Sequence, residues 1–106
     1  MAVVIRRDAD NKWFFGIDWS DFFAEIVEKY GGTVTLTASS WDIPATWVQE
    51  AETAFNATSN IATLVCSGGT NGDKEDVTNT ITYSVSALTL TDATQNRTRT
   101  IILEEQ

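Results

Sequence analysis

The chain has 106 residues, a formal net charge of −8 and one cysteine, and these totals limit what it can be. The length suits one domain, residues 1–106, with a real core but without a second lobe that could enclose a cleft. Its seven Lys and Arg residues are scattered among fifteen Asp and Glu, so we expect no nucleic-acid partner. A single cysteine excludes an internal disulfide, and no apolar run is long enough to predict a membrane span.

Two short strands are predicted at the start of the chain, at Val3–Arg6 and Trp13–Ile17. Each is rich in β-branched or aromatic residues, which suit a pleated surface. The polar turn Asp8–Asn11 separates them, so the two strands could pair with each other.

The segment after Asp18 changes period and predicts one short amphipathic helix. Asp18 is the predicted N-cap, because its carboxylate can accept a hydrogen bond from an N–H of the first turn. Gly31 and Gly32 are predicted to end the helix. Its apolar residues recur at the three- and four-residue spacing of one helix face; they are Trp19, Phe22, Phe23, Ile26, Val27 and Tyr30.

The rest of the chain predicts strands, because short apolar runs alternate with threonine and are punctuated by glycine and serine. The predicted strands are Thr33–Ser40, Asn60–Cys66, a long strand through Val77 and Ile81 to Tyr83, and Asn96–Glu104, with weaker candidates at Thr46–Ala51 and Phe55–Ala57. The polar segment Ser84–Gln95 is predicted to be a long hairpin connection with strand-like Leu88–Leu90. About seven strands with regular turn signals indicate a mostly β fold, an antiparallel β-sandwich with one helix.

The glycine-rich stretch Ser67–Asp73 resembles a phosphate-binding loop only superficially, since it lacks the Gly-Lys-Ser/Thr ending and does not open a helix. We predict a tight turn in which Gly68, Gly69 and Gly72 supply positive φ angles. The acidic residues at its end and just after it, Asp73, Glu75 and Asp76, could hold calcium weakly. Their spacing fits no EF-hand, so a solvated turn is the preferred interpretation and no metal is assigned.

No catalytic constellation is predicted. The chain has no histidine, which removes Ser/His/Asp and Cys/His chemistry, and Cys66 alternates with Ala62 and Leu64 as a core residue would. Acidic pairs such as Asp18 with Asp21 occur in any acidic protein. We therefore expect a protein that is not an enzyme and that needs no cofactor.

Four tryptophans are a large aromatic content for this length. Burying one ring removes about 150–250 Å² from water, so core packing is the default role. We place Trp19 and Trp41 in the core, with Phe22, Phe23, Leu64, Val77 and Ile81. Trp13 and Trp47 are left open, because exposed rings could stack on sugars.

Five short blocks in fixed order resemble one known family. They are IDWSDFF, TASSWDIP, SGGTNG, VTNTITY and RTIILEE, and they span about residues 14–105. This order is similar to that of the phage fibre-tail adaptor family, small proteins of tailed-bacteriophage particles. The resemblance implies an immunoglobulin-like β-sandwich that serves as a non-enzymatic building block in several copies, joining tail or neck to fibre.

The resemblance also implies the partners and the place. The partners would be other virion proteins of the tail, neck, fibre or capsid, and the chain would reside in the virion after assembly in the bacterial cytoplasm. Two alternatives stay open: a capsid decoration protein with the same fold, and a carbohydrate-binding module using Trp13 or Trp47. The sequence departs from the family at Glu75, where an aromatic residue is usual, and at Cys66, where leucine is common.

Overall fold

The computed structural model describes residues 2–7 and 11–105, and within them the chain forms mostly strands, with a single α-helix after the second strand. The elements, in chain order, are β1 Ala2–Arg7, β2 Trp13–Asp18, α1 Ser20–Tyr30, β3 Val34–Asp42, β4 Trp47–Gln49, β5 Ala54–Asn56, β6 Ile61–Gly68, β7 Lys74–Val85, a 3₁₀ turn Ser86–Leu88 and β8 Leu90–Glu105. The mostly β fold class with one helix near the N-terminus is therefore confirmed.

The strands form two sheets. The first has the order β1-β8-β7-β3, and the second has the order β2-β6-β4, with β5 also pairing β6. Side chains from both sheets meet in common buried clusters, as in a β-sandwich. The long β7–β8 pair runs through an elongated body of 46 × 26 × 20 Å.

The suggested pairing of the first two strands is wrong. β1 joins the first sheet, where it runs parallel to β8 with Val3 opposite Ile101, whereas β2 joins the second sheet beside β6. The chain therefore crosses between the sheets after Arg7, and the fold is not purely antiparallel. Of the predicted turn Asp8–Asn11, all but Asn11 lies outside the described residues.

The predicted long connection at Ser84–Gln95 is also wrong. β7 continues to Val85 and β8 begins at Leu90, so only one 3₁₀ turn separates them. Threonines make this stretch polar, yet their branched Cβ atoms favour extended backbone. A register shift between Tyr83 and Val85, with Asp92 at φ +57°, absorbs the irregularity.

Two buried clusters fill the space between the sheets. The first cluster contains Ile17, Trp19, Phe23, Leu36, Ala62, Ile81, Tyr83 and Val85. The second cluster contains Trp13, Trp47, Leu64, Cys66, Val77, Ile101 and Leu103. Alternate residues of β6 and β7 supply both, which is the period expected of half-buried strands.

Two residues predicted for the core are only partly buried. Phe22 packs on the rim of the first cluster, with its ring 5.5 Å from that of Tyr83. Trp41 packs against both clusters but stays partly exposed, because it lies near the end of the edge strand β3. Neither is a fully enclosed core residue.

The start of α1 differs by one position from the prediction. Trp19, not Asp18, occupies the N-cap, and its backbone N–H donates to Asn60 C=O at 2.8 Å as the last bond between β2 and the β6 side. The Asp18 carboxylate accepts the Ser20 N–H at 2.9 Å, so it still satisfies the first helical donor. Hydrogen bonds from Ser20 lower the pKa of Asp18.

Within the described residues, no helix is long and apolar enough to cross a membrane.

The glycine turn between β6 and β7 has the predicted backbone. Gly68, Gly69 and Gly72 have φ values of +78°, +76° and +97°, which side chains disfavour. A Cβ atom on Gly69 would lie 2.7 Å from the Trp47 indole nitrogen and 2.8 Å from Leu103 Cδ1. Gly69 therefore allows the turn to close directly over the second cluster.

Gly69→Ala should lower the free energy of unfolding by about 2–4 kcal/mol, because left-handed strain adds to a clash with two core side chains. The matched control is Gly72→Ala, since a Cβ there meets no atom within 4 Å and adds backbone strain alone. Urea unfolding followed by tryptophan fluorescence measures both. Equal losses would contradict the packing role given to Gly69.

Candidate interaction surfaces

A buried hydrogen-bond network joins the helix to the first sheet. The Trp19 indole N–H donates to Asn79 Oδ1 at 2.9 Å, and Asn79 is fully buried in the middle of β7. The Asn79 amide nitrogen donates to Ser39 Oγ and to Ser40 C=O, both at 2.9 Å. Three of the blocks that carry the family resemblance therefore meet at one point.

The outer side of the Trp19 ring is covered by a cation. The Arg97 guanidinium carbon lies 4.3 Å from the ring centroid, and its Nη1 donates to Asp18 C=O at 3.2 Å. A guanidinium stacked on an indole is a favourable contact at a partly exposed site. The Trp19 side chain is thus fixed on its edge by Asn79 and on its face by Arg97.

A second junction holds the glycine turn against the end of the sandwich. Asp73 Oδ2 accepts the Thr70 N–H at 2.8 Å and the Trp47 indole N–H at 3.2 Å. The backbones of Gly72 and Asp73 bond that of Leu103 at 2.6 and 2.9 Å. Because Gly72 and Leu103 are bonded, the glycine block and the last-strand block are joined here. Hydrogen bonds from Thr70 and Trp47 lower the pKa of Asp73.

The carboxylate considered for calcium has this structural role instead. Asp73 holds the turn and the Trp47 ring, whereas Glu75 and Asp76 are exposed at the start of β7. In residues 2–7 and 11–105 no three His, Cys, Asp or Glu side chains are grouped closely enough to hold a metal ion. We assign Asp73 to turn packing.

Cys66 faces the second cluster, as its alternation with Leu64 predicts. Burial, together with the negative charge of the Glu50 carboxylate, raises the pKa of its thiol to about 11. The reactive thiolate is therefore scarce near neutral pH. The side chain acts as a small apolar group.

The two tryptophans that were left open are both core residues. Trp13 is 3% exposed and Trp47 is 4% exposed, and their rings form an edge-to-face pair with centroids 5.1 Å apart. Rings enclosed in this way have no free face on which a sugar could stack. The hypothesis of a carbohydrate site on Trp13 or Trp47 is contradicted by this burial.

One group of exposed apolar side chains lies where α1 ends and the β7–β8 hairpin turns. The two segments are locked together, because Ser86 N–H donates to Thr33 C=O at 2.9 Å and Ser86 Oγ accepts the Thr33 N–H at 2.7 Å. We call this group the tip patch. Its members are Val27, Tyr30, Leu88 and Leu90, each at least 40% exposed.

A second group lies on the outer face of the second sheet, in the half of the body that contains the second cluster. Phe14 is 72% exposed, the most open of the large apolar side chains, and it stands opposite Val65 of β6. Val48 of β4 is exposed on the same face, opposite Ser67. We call Phe14 and Val48 the flank patch.

Sequence reasoning missed both patches. The run Trp13-Phe14-Phe15 carries a usable signal, because strict alternation turns its middle residue away from the core that holds the other two. The tip patch had no such signal, since Leu88 and Leu90 lie in a predicted hairpin connection whose strand-like character does not say which side chains are exposed. Both patches are surfaces on which an apolar partner can be buried.

Comparison with protein-family models, curated proteins and solved structures gave no match. The resemblance to the phage fibre-tail adaptor family therefore rests on the five sequence blocks. The structure adds the contacts that these blocks make with one another, through Asn79 in one half of the body and through the backbone bond from Gly72 to Leu103 in the other.

Asn79→Ala should reduce the free energy of unfolding by about 2–4 kcal/mol, since it leaves the buried Trp19 indole N–H without its acceptor and opens a space in the core. The control is Asn96→Ala, which removes an exposed bond to Thr80 and should cost about 0.5 kcal/mol or less. Chemical denaturation checks both values. A neutral Asn79→Ala would show that the network does not support the fold.

The Cys66 thiol should react slowly with an aromatic disulfide reagent at pH 8, because a pKa of about 11 leaves about one thiol in a thousand ionised. Unfolding in urea should speed the reaction at least about a hundredfold. A Cys66→Ala chain that also carries Val48→Cys supplies the exposed control and should react at once. Equal reaction rates for Cys66 in the folded original chain and for the cysteine introduced by Val48→Cys in the folded control variant would contradict the burial of Cys66.

Proposed function

We propose that this chain is a non-enzymatic structural component of a tailed-bacteriophage particle, an adaptor that joins tail or neck to fibre in several copies. Its partners are other virion proteins, and its sandwich is of the immunoglobulin-like kind that the family resemblance implies. The observation that carries the proposal is the presence of two separate apolar patches on one elongated body.

The two patches suit a protein that must hold two different partners. The tip patch lies beside the first cluster, and the flank patch lies beside the second. Each patch is presented by strands or by a helix whose positions are fixed by hydrogen bonds. A rigid body with a binding surface in each half can set the distance between its partners, which is what an adaptor does.

The sequence blocks support the same proposal. Trp19 and Asn79 join blocks in one half of the sandwich, and Gly72 and Leu103 join blocks in the other. The blocks shared with the adaptor family thus consist of residues that shape the fold, while the patches lie mostly outside them. Such a division is expected where related structural proteins keep a scaffold and meet different partners.

A capsid decoration protein is the second candidate. It would use the same scaffold and would bind the shell through one patch. The exposed tip patch serves either role equally, so the position in the particle is what distinguishes them.

Immunogold labelling tests the proposal. Antibodies against the purified chain are applied to particles of the phage that encodes it, and gold is expected at the neck, tail or tail tip. Label over the whole head would overturn the adaptor role and support decoration. If the intact particles carry no label and the antibodies also detect no chain in denatured particles, both roles are overturned.

The role of the tip patch is tested by incorporation into particles. Leu88→Asp with Tyr30→Ser should lower the amount of the chain in purified particles at least about tenfold, because burying the new charge opposes docking. Ala57→Asp, an exposed change between β5 and β6, is the control and should incorporate normally. Normal incorporation of the patch variant would exclude the tip patch as a docking surface.

A further inference from the structure

The free edge of β2 exposes unpaired backbone groups. Among the described strands β2 pairs only with β6, where Phe14 stands opposite Val65. The backbone N–H and C=O of Val65 point away from β2, because the C=O accepts the Glu50 N–H and the N–H donates to Thr53 Oγ1. Alternate residues of an antiparallel strand face opposite neighbours. The N–H and C=O groups of Phe14 and Gly16 therefore point out of the sheet edge.

This edge lacks the features that usually prevent strands from associating. β4 and β5 have three residues each, and β3 has a register shift between Leu36 and Ala38. β1 carries the exposed charge of Arg6. β2 has six residues in regular register and no charge before Asp18. Long, regular and uncharged edges tend to be covered by another strand.

The edge is complementary to itself. Backbone bonding requires even-numbered residues of one β2 to oppose even-numbered residues of the other. One such register sets Phe14 opposite Gly16 of the second copy and Lys12 opposite Asp18 of the second copy. A shift by two residues opposes glycine to glycine or phenylalanine to phenylalanine, and no longer opposes the two charges.

We propose that two copies of this chain pair antiparallel through their β2 edges in this register, so that the second sheet runs on from one copy into the other. Roughly four backbone hydrogen bonds form between Phe14 and Gly16 around the two-fold axis. Each Phe14 ring covers the Gly16 of the other copy, where the outer face carries no side chain. Aromatic cover of an edge glycine is a known stabilising arrangement.

Charges at the strand ends favour the register without dominating it. Lys12 Nζ already forms ion pairs within its own chain, 2.6 Å from Glu52 and 3.4 Å from Glu50. Asp18 of the second copy would be a third carboxylate near this one ammonium group, so its added attraction is small. Arg97 lies beside Asp18 and offsets its charge. The specificity therefore comes chiefly from the backbone bonds and from the fit of Phe14 over Gly16.

Sedimentation equilibrium of the full chain, from about 1 µM to about 1 mM, measures the association. We expect a monomer–dimer equilibrium that Gly16→Pro weakens at least roughly tenfold, since proline removes the outward N–H. Gly16 has no positive φ, and a Cβ there makes only ordinary contacts of 3.5 Å or more. Circular dichroism and the unfolding midpoint of the variant check that it keeps the fold. Ala54→Asp, an exposed change on the same face but on β5 and outside both patches, is the control and should leave the dimer unchanged.

Disulfide trapping tests the register. In a Cys66→Ala background, Lys12→Cys chains mixed with Asp18→Cys chains should form a mixed disulfide, because directly opposed residues lie about 5.5 Å apart at Cα. Either variant alone should form markedly less. Circular dichroism confirms that each variant is folded.

Several outcomes overturn the inference: a monomer across the whole concentration range, a dimer indifferent to Gly16→Pro, or cross-linking that is equal in mixed and single-variant samples. None of these bears on gold labelling of particles, so this inference and the proposed function fail separately. A concentration-dependent dimer that is lost with Gly16→Pro, together with the mixed disulfide, establishes it.

Discussion

The hydrogen bond from the Trp19 indole to Asn79 is the interaction on which the fold most depends. Trp19 ends the β2 ladder, begins α1 and lies in the first cluster, so one residue fixes the relation of helix, second sheet and core. Asn79 has no exposure and must satisfy its amide inside the protein, which it does through three bonds to Trp19, Ser39 and Ser40. An incomplete set would leave buried polar atoms unpaired, so the network accepts one arrangement.

A similar constraint operates in the other half of the body. Asp73 bonds the Trp47 indole as Asn79 bonds that of Trp19, and in both cases a polar group in the turn or strand fixes the position of a large ring. The shape of each half is therefore set by direction-specific bonds as well as by apolar packing. These bonds also fix the positions of the two patches, since the patches lie on the elements that the bonds connect.

The sequence predicted what local periodicity determines. The helix, the alternation of β6 and β7, and the positive φ angles of the glycine turn follow from spacing and residue type, and the structure has them. It did not predict that β1 pairs with β8, because a parallel pairing between the two chain ends leaves no local pattern. The role of Asp73 was hidden for a related reason, since the acceptor of an indole N–H is recognisable only once the burial of Trp47 is known.

The partner of an edge strand is hidden from the sequence in the same way, but the structure narrows it. Once Val65 fixes which groups of β2 face outward, hydrogen-bond parity leaves few registers, and the absence of a side chain at Gly16 selects among them. A net charge of −8 per copy opposes the approach of two copies. Pairing through β2 must therefore depend on short-range backbone bonds and apolar cover, and it is favoured most where copies are held at high local concentration, as in a multi-copy particle.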